Sequence, residues 1–432
     1  MGRLRRALFW IGWIALITAP LIWLKVYYDM GRNDTLVRVQ SERWKFLFTD
    51  VPRWIAGEWL TILIMAMVCV ILWLASRMWE QRGWREELAA AFTRSKLNQF
   101  RLALFLFLIV ALFLAPIAGS IVPALKIPDK YIGMAVMVGI YILLAQGLNL
   151  TVGMTGLLVL GYAGFYAVGA YTFGLMHVYW GVNFWMAFIP AMIVGALFGL
   201  MLGLPSFRLH GDYLAIVTLG FGETVRYLLK NWSTFTHGDR GVIIKSGGKI
   251  PSIESLPFLP HGLTRLQVTY CIVFLFCAAS IFAISRLMHS RIGRAWIAIR
   301  EDETAAATMG INTVAYKLLA FSLSAIWAAV AGVLYTAYEG YIDPESFGFD
   351  ESVMILIMVV LGGMGSGPGA IVGAAVVWIL QSVLRDKFPA VSDYRLMIFG
   401  ALLIVMMIYR PQGLIGSMRR KVELEEQAKP GS

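Results

Sequence analysis

"KYIGMAVMVGIYILLAQGLNL", residues 130–150, is an unbroken apolar run whose only charge, Lys130, stands at its edge. About 20 such residues cross the roughly 30 Å hydrocarbon core of a bilayer as one helix, the form that satisfies every backbone group internally. A lipid-facing strand would instead alternate apolar and polar positions over about ten residues. Outward from this run the same texture recurs. Apolar stretches cover about 8–28, 57–75, 102–122, 157–180, 184–205, 213–230, 266–286, 318–338, 352–384 and 394–409. The chain is 59% hydrophobic and 15% charged, with a mean hydropathy of +0.71. The expected fold class is an all-α polytopic membrane protein, with about 10 to 12 membrane-crossing or partly crossing helices and both termini cytoplasmic.

The net charge of +11 does not point to nucleic acid, because the bases gather at the ends of apolar runs, as in "MGRLRR", "SRLMHSRIGR" and "SMRRKVE". That is the distribution of cytoplasmic loops. Arg3, Arg5 and Arg6 precede an apolar run that reaches about Tyr28 with no small-residue cleavage site, so an uncleaved anchor is expected. Cys69, Cys271 and Cys277 lie inside apolar segments without metal-ligand spacing and read as packing residues. A basic loop, 76–101, carries Arg77, Arg82, Arg85, Arg94, Lys96 and Arg101 and sets the clearest boundary. The expected organisation is a hairpin with a basic linker over 1–101, a core over 102–416 and a charged cytoplasmic tail over 417–432. Alternation from an inside N-terminus places 231–265 and the acidic "EGYIDPESFGFDES" (339–352) outside, and about 291–317 inside. The run 352–384 is interrupted by "GGMGSGPGA", which predicts two shorter helices meeting near the inner side. "LGYAGFYAVGA" (160–170) and "LGGMGSGPGA" (361–370) share a loose glycine pattern that reads either as coincidence or as a structural repeat.

Polar groups inside apolar runs need a reason to be there. Glu223 would cost about 2.5–3.5 kcal/mol at the bilayer centre. Either it pairs with Arg226 one turn later or it lines a path or gate. Gln146, Asn149, Thr151 and Thr155 alternate with Gly147, Gly153 and Gly156. This pattern fits helix packing through glycines, or a broken helix whose freed backbone faces a pathway. Tyr162 and Tyr166, in the next run, complete the expected pathway set. Arg208 and Asp212 mark an inner turn, as gate, partner contact or solvated corner.

Between two apolar runs lies "EDETAAATMGIN", residues 301–312. Asp302 is placed to cap a short helix, Glu303 falls in its first turn, and Gly310 stands where a left-handed C-terminal cap belongs. Trp296, Ile299, Ala306 and Gly310 would form one stripe at helical spacing, suited to a groove on a soluble partner. The alternative is a solvated loop with one helical turn. No G-x-x-x-x-G-K-[ST] phosphate loop occurs, so the chain supplies no ATPase by that motif. His177, His210, His237, His261 and His289 are scattered, which leaves little support for a membrane-embedded hydrolase.

Five segments, "GLNLTVGMTGLLVLGYAGFYAVGAY", "RLHGDYLAIVTLGFGETVRYLLKN", "GRAWIAIREDETAAATMGI", "PESFGFDESVMILIMVVLGGMGSGPGAIVGA" and "RPQGLIG", span about 140–416 in order. Together they resemble the LivM-type permeases of branched-chain amino acid ABC importers, and the hairpin before about residue 100 is similar to that of longer members. The resemblance implies an alternating-access permease of the bacterial inner membrane for leucine, isoleucine and valine. It implies a LivH-type sister permease, two ATP-binding subunits that carry ATP and magnesium, and an external solute-binding protein. No cofactor on this chain and no covalent chemistry are expected. The coupling loop of such permeases has Glu-Ala-Ala, three residues, then Gly; Glu303, Ala306, Ala307 and Gly310 match it loosely, since Thr304 and Ala305 intervene. Arg294, Arg300, Glu301 and Asp302 complete the expected coupling set. "THGDRGV" departs from the family's Thr-Gly-Gly-x-x-Gly-like turn at His237 and Asp239, which bears on the cargo. Urea or short amides are the alternative cargo within the class. An ion-gradient-driven transporter, from another class, would need an intramembrane charge constellation.

Overall fold

The computed structural model describes residues 128–206, 211–244, 264–387, 395–409 and 413–415. The expected N-terminal hairpin, the boundary at residues 101 and 102, Cys69, Arg208 and the tail lie outside them. The described sites discussed below belong to the compact unit Ala111–Ser382 with Leu396–Ser432; Met1–Val110 with Val383–Arg395 forms a second unit.

The opening run is helix α1 (Asp129–Leu148), which passes directly into a π-helix, Asn149–Thr155, and ends at Gly156 with φ +75°. The polar interruption is therefore wound rather than broken: the ladder widens, and the left-handed glycine stops it. Next come α2 (Tyr162–Trp180), α3 (Phe184–Ser206) and α4 (Asp212–Asn231). The expected run at 157 becomes helical only at Tyr162, after Gly161. Then follow α5 (Arg265–Met288), α6 (Arg291–Glu301), α7 (Glu303–Thr308) and α8 (Thr313–Glu339). The glycine-interrupted run divides as expected into α9 (Phe349–Gly362) and α10 (Gly367–Lys387), and α11 is Arg395–Tyr409. The two glycine patterns behave differently, since 160–170 opens a helix whereas 361–370 separates two. The all-α expectation needs one amendment: β1 (Val242–Ile243) pairs antiparallel with β2 (Tyr341–Ile342).

Among the described residues, 5 helices are long and apolar enough to cross a membrane: Asp129–Thr155, Phe184–Pro205, Arg265–Met288, Thr313–Glu339 and Gly367–Arg385. α8 is the hub, packed by α1, α2 and α3. Its alanines at 320, 325, 328, 329 and 331 are fully buried. α2 approaches so closely that a Cβ on Gly169 would strike the Ala329 backbone, the small-residue contact by which apolar helices associate without a hydrophobic driving force. α2 is buried from Tyr162 to Tyr171, so protein rather than lipid surrounds that stretch. On α3, Met186, Ile189, Ile193, Leu197, Met201 and Leu204 form an exposed apolar stripe of the kind that lipid covers.

Candidate functional site

α8 is 27 residues long, about 40 Å at 1.5 Å per residue, and the charged groups singled out by sequence gather at its opposite ends. At its N-terminal end, Ser290 caps α6 by accepting from the Ile292 and Gly293 amides. Asp302 caps α7 as expected, its carboxylate accepting from Ala305 N at 2.9 Å. Gly310 takes the expected left-handed conformation, with φ +83°. The difference lies at Asp302, whose extended backbone (φ −155°, ψ 112°) breaks the helical path. Residues 291–308 are thus two helices, and the expected stripe is split between them.

The stripe also points the other way. Trp296, Ile299 and Ala306 are buried at 0%, 5% and 4% exposure, leaving only Gly310 outside. Trp296 packs with Leu150, Met154, Ile284 and Ala320, and its Nε1 donates to Tyr316 O at 2.8 Å. A buried tryptophan of this kind is worth about 3–5 kcal/mol against alanine. The apolar face therefore fastens the pair to its own chain, and the opposite face, with Arg294, Glu301, Asp302, Ala307 and Met309, is exposed. Helical spacing reveals that a face is apolar; it does not reveal which surface covers it.

Two polar contacts strengthen this attachment. Lys317, 2% exposed, pairs with Glu303 at 2.5 Å. Arg300 Nη1 donates to Gly153 O at 2.6 Å, tying α6 to the π-helix. The π-helix region in turn holds the break between α9 and α10: Gly365 N donates to Asn149 Oδ1 at 2.8 Å, and Gln146 Nε2 donates to Gly367 O at 2.8 Å. Thr151 and Thr155 hydroxyls donate to backbone carbonyls of Leu148 and Thr151.

Of the remaining expected pathway residues, Tyr162 abuts Gly147, where an added Cβ would meet its hydroxyl, while Tyr166 and Glu223 make other contacts. Tyr162, fully buried, donates to Ser324 O at 3.1 Å. Tyr166 packs on Tyr335 and Phe347, with ring centroids 5.4 and 5.0 Å away. Glu223 pairs with Arg226 at 2.7 Å, the intrahelical partner expected from sequence. What sequence missed is that Arg226 also binds Glu345 at 2.8 Å, while Lys230 binds Glu345 at 2.6 Å and Asp239 at 3.4 Å. This network fastens α4 to the 3-10 turn Pro344–Phe347 beyond β2. The departure at His237 and Asp239 acquires a local reason: His237 adopts φ +63° and stacks on Tyr179, while Asp239 joins the network.

Hydrogen bonding from Lys230 holds the Glu345 carboxyl below its ordinary range. A depressed carboxylate stabilises the folded state above its unfolded pKa and loses that contribution as pH falls through the folded value. Glu345→Gln is therefore expected to lower amide protection factors over Tyr341–Phe347 by about two- to fivefold, the range for solvent-exposed ion pairs, with the parent's protection flat between about pH 6 and 8. A tenfold change in the parent across that interval would require another titrating group.

The profile of the family described as "Branched-chain amino acid transport system / permease component" matches residues 130–407. The high-affinity branched-chain amino acid transport system permease protein LivM of Salmonella typhimurium is 42% identical over 311 residues, 68% of this chain and 72% of that protein. LivM of Escherichia coli is 41% identical over 317 residues, 69% of this chain and 73% of that protein. The LivH permease protein of Escherichia coli is 28% identical over 287 residues, 64% of this chain and 91% of that protein. No solved structure matches.

Proposed function

Since the chain belongs to the branched-chain amino acid transport permease family, we propose that it is the membrane permease subunit of an ATP-driven importer of leucine, isoleucine and valine. The observation that carries this reading is the 42% identity to a LivM permease across 72% of that protein. The resemblance of the same chain to LivH supports a sister permease of related fold as its partner in the membrane. Two ATP-binding subunits carrying ATP and magnesium, and an external solute-binding protein, complete the assembly in the bacterial inner membrane. With the residues before 128 included, the subunit has about 10 to 12 crossing or partly crossing helices and cytoplasmic termini.

In this reading α6 and α7 receive the motion of the ATP-binding subunits. Arg294, Glu301, Asp302, Ala307 and Gly310 face the partner, while Arg300, Glu303 and Ala306 hold the pair to the permease; the burial of Ala306 and the contacts of Arg300 with Gly153 and Glu303 with Lys317 support this division. A push on α6 travels through Trp296 and Arg300 into the π-helix, and from Asn149 and Gln146 into the break between α9 and α10. Interfaces of this kind amplify small shifts because packed elements have discrete arrangements. Gln146, Asn149, Thr151 and Thr155 thus serve the gate nearest the coupling helices. Tyr162, Tyr166 and Glu223 serve the pathway toward the other end.

Labelled leucine uptake into vesicles holding the full assembly, competed with valine, alanine and urea, tests the cargo: valine should compete, and competition by urea alone would overturn the assignment. ATP depletion with ion gradients maintained should stop uptake. Coupling has its own test in Gly310→Pro. Proline fixes φ near −65° and has no N–H, whereas Gly310 sits at φ +83° and donates to Ala307 O. Membrane insertion should be normal and ATP hydrolysis should persist while import falls at least about tenfold, roughly 1.4 kcal/mol. Normal import by this variant would remove the coupling role.

A further inference from the structure

At the outer end of α8, Phe347 hangs from the 3-10 turn into a cage of three tyrosines. Its ring lies 5.0 Å from Tyr166, 6.2 Å from Tyr171 and 6.0 Å from Tyr335, each edge-on. The ring is 2% exposed. Edge-on packing suits aromatic rings, and a phenylalanine there would ordinarily be plain core. The surrounding polar groups argue otherwise. The hydroxyls of Tyr166 and Tyr171 are buried and have no hydrogen-bond partner among the described residues, a state that native interiors rarely leave without a use. An apolar plug needs no hydroxyls around it. Beside Phe347 lies a narrow seam, too tight to hold a water molecule, lined also by Glu223, Ser352, Gly161 and Gly222. The turn that carries the plug is held from outside by Glu345, bound to Arg226 and Lys230.

We propose that Tyr166, Tyr171 and Tyr335 form a binding cage for the aliphatic side chain of the cargo, and that Phe347 fills it as an internal stand-in until the 344–347 turn withdraws. This rests on the branched-chain cargo assigned above. The tyrosine faces supply the apolar walls, a combination typical of small-molecule sites with few convergent polar groups. The unpaired hydroxyls of Tyr166 and Tyr171 supply hydrogen bonds to the ammonium and carboxylate of a zwitterion, which Phe347 cannot use. A branched aliphatic side chain is smaller than the benzyl group it replaces, and withdrawal of the turn makes room for the zwitterionic head beside the two hydroxyls.

The test uses the complete assembly in vesicles and compares the parent with Phe347→Ala and Tyr166→Phe. Phe347→Ala empties the cage, and labelled leucine should then leak across ATP-free vesicles at least about tenfold faster than through the parent. Tyr166→Phe keeps the ring and removes only the hydroxyl. It should raise the KM for leucine about tenfold, with kcat changed little, as expected for lost ground-state binding. If the parent imports leucine while Phe347→Ala leaves leakage unchanged and Tyr166→Phe leaves KM unchanged, the cage is mere packing and the proposal falls. If Phe347→Ala does not assemble, the KM of Tyr166→Phe decides alone. A parent that imports no leucine refutes the cargo reading instead, and the leak of Phe347→Ala is then measured with the amino acid that the parent does import.

Discussion

Glu303→Ala is expected to abolish import and to destabilise the permease by about 3 kcal/mol, the low end of the range for removing one member of a buried ion pair, because Glu303 itself is 30% exposed. The reason is its partner. Lys317 is 2% exposed, and without Glu303 its ammonium is left in a poorly solvated site. The double variant Glu303→Ala, Lys317→Met removes the charge together with the carboxylate and should recover most of the stability, because apolar replacement of a buried pair is often neutral. Thermal unfolding of the detergent-solubilised assembly reads the stability, and leucine uptake reads function. A single variant as stable as the parent, or a double variant no better than the single, would show that the pair does not fasten α7 to α8.

A second large loss is expected from Gly153→Ala. The added methyl would fall onto Asn149 Oδ1 and the Gly365 amide, the two partners in the hydrogen bond that ties the π-helix to the α9–α10 break. Inserting a methyl into a contact between backbones typically costs about 1–3 kcal/mol. The same residue's carbonyl receives Arg300, so displacement reaches α6 as well. Import should fall by more than about tenfold with less change in ATP hydrolysis, since on the proposed route the damage lies between the coupling helices and the gate rather than at the motor. Arg300→Gln, which removes one link and leaves the other, should show a smaller loss of the same kind. Equal import by Gly153→Ala and the parent would mean that force takes another route.

What sequence revealed here depended on range. The helical class, the break at Gly362–Gly367, the Asp302 cap, the left-handed Gly310 and the Glu223–Arg226 pair are all local. Each follows from spacing or from one residue's conformational preference. The π-helix was not legible, because a widened hydrogen-bond ladder leaves no composition of its own; Asn149–Thr155 could as well have been unwound. The facing of Trp296, Ile299 and Ala306 was read in reverse, since an apolar stripe records burial and not the identity of the cover. Links across long separations, Arg300 to Gly153, Arg226 to Glu345 and β1 to β2, join segments that only the folded chain brings together. Lys317 carried a legible hint, a base at the very start of an apolar run, but its partner sits on the preceding short helix.

α4 carries Asp212, Glu223, Arg226 and Lys230 on 20 residues and is not among the helices apolar enough to cross by themselves. The insertion machinery meets this helix long before its later clasp exists, for Glu345 is made 119 residues after Arg226. Within the nascent chain, Glu223 and Arg226 can neutralise each other, and α2, already synthesised, offers the glycines against which α4 packs. In the proposed permease, order of synthesis would thus set order of assembly: the charged helix would enter the bilayer beside its elder neighbour, and the 344–347 turn can close over it only once translation has passed the end of α8.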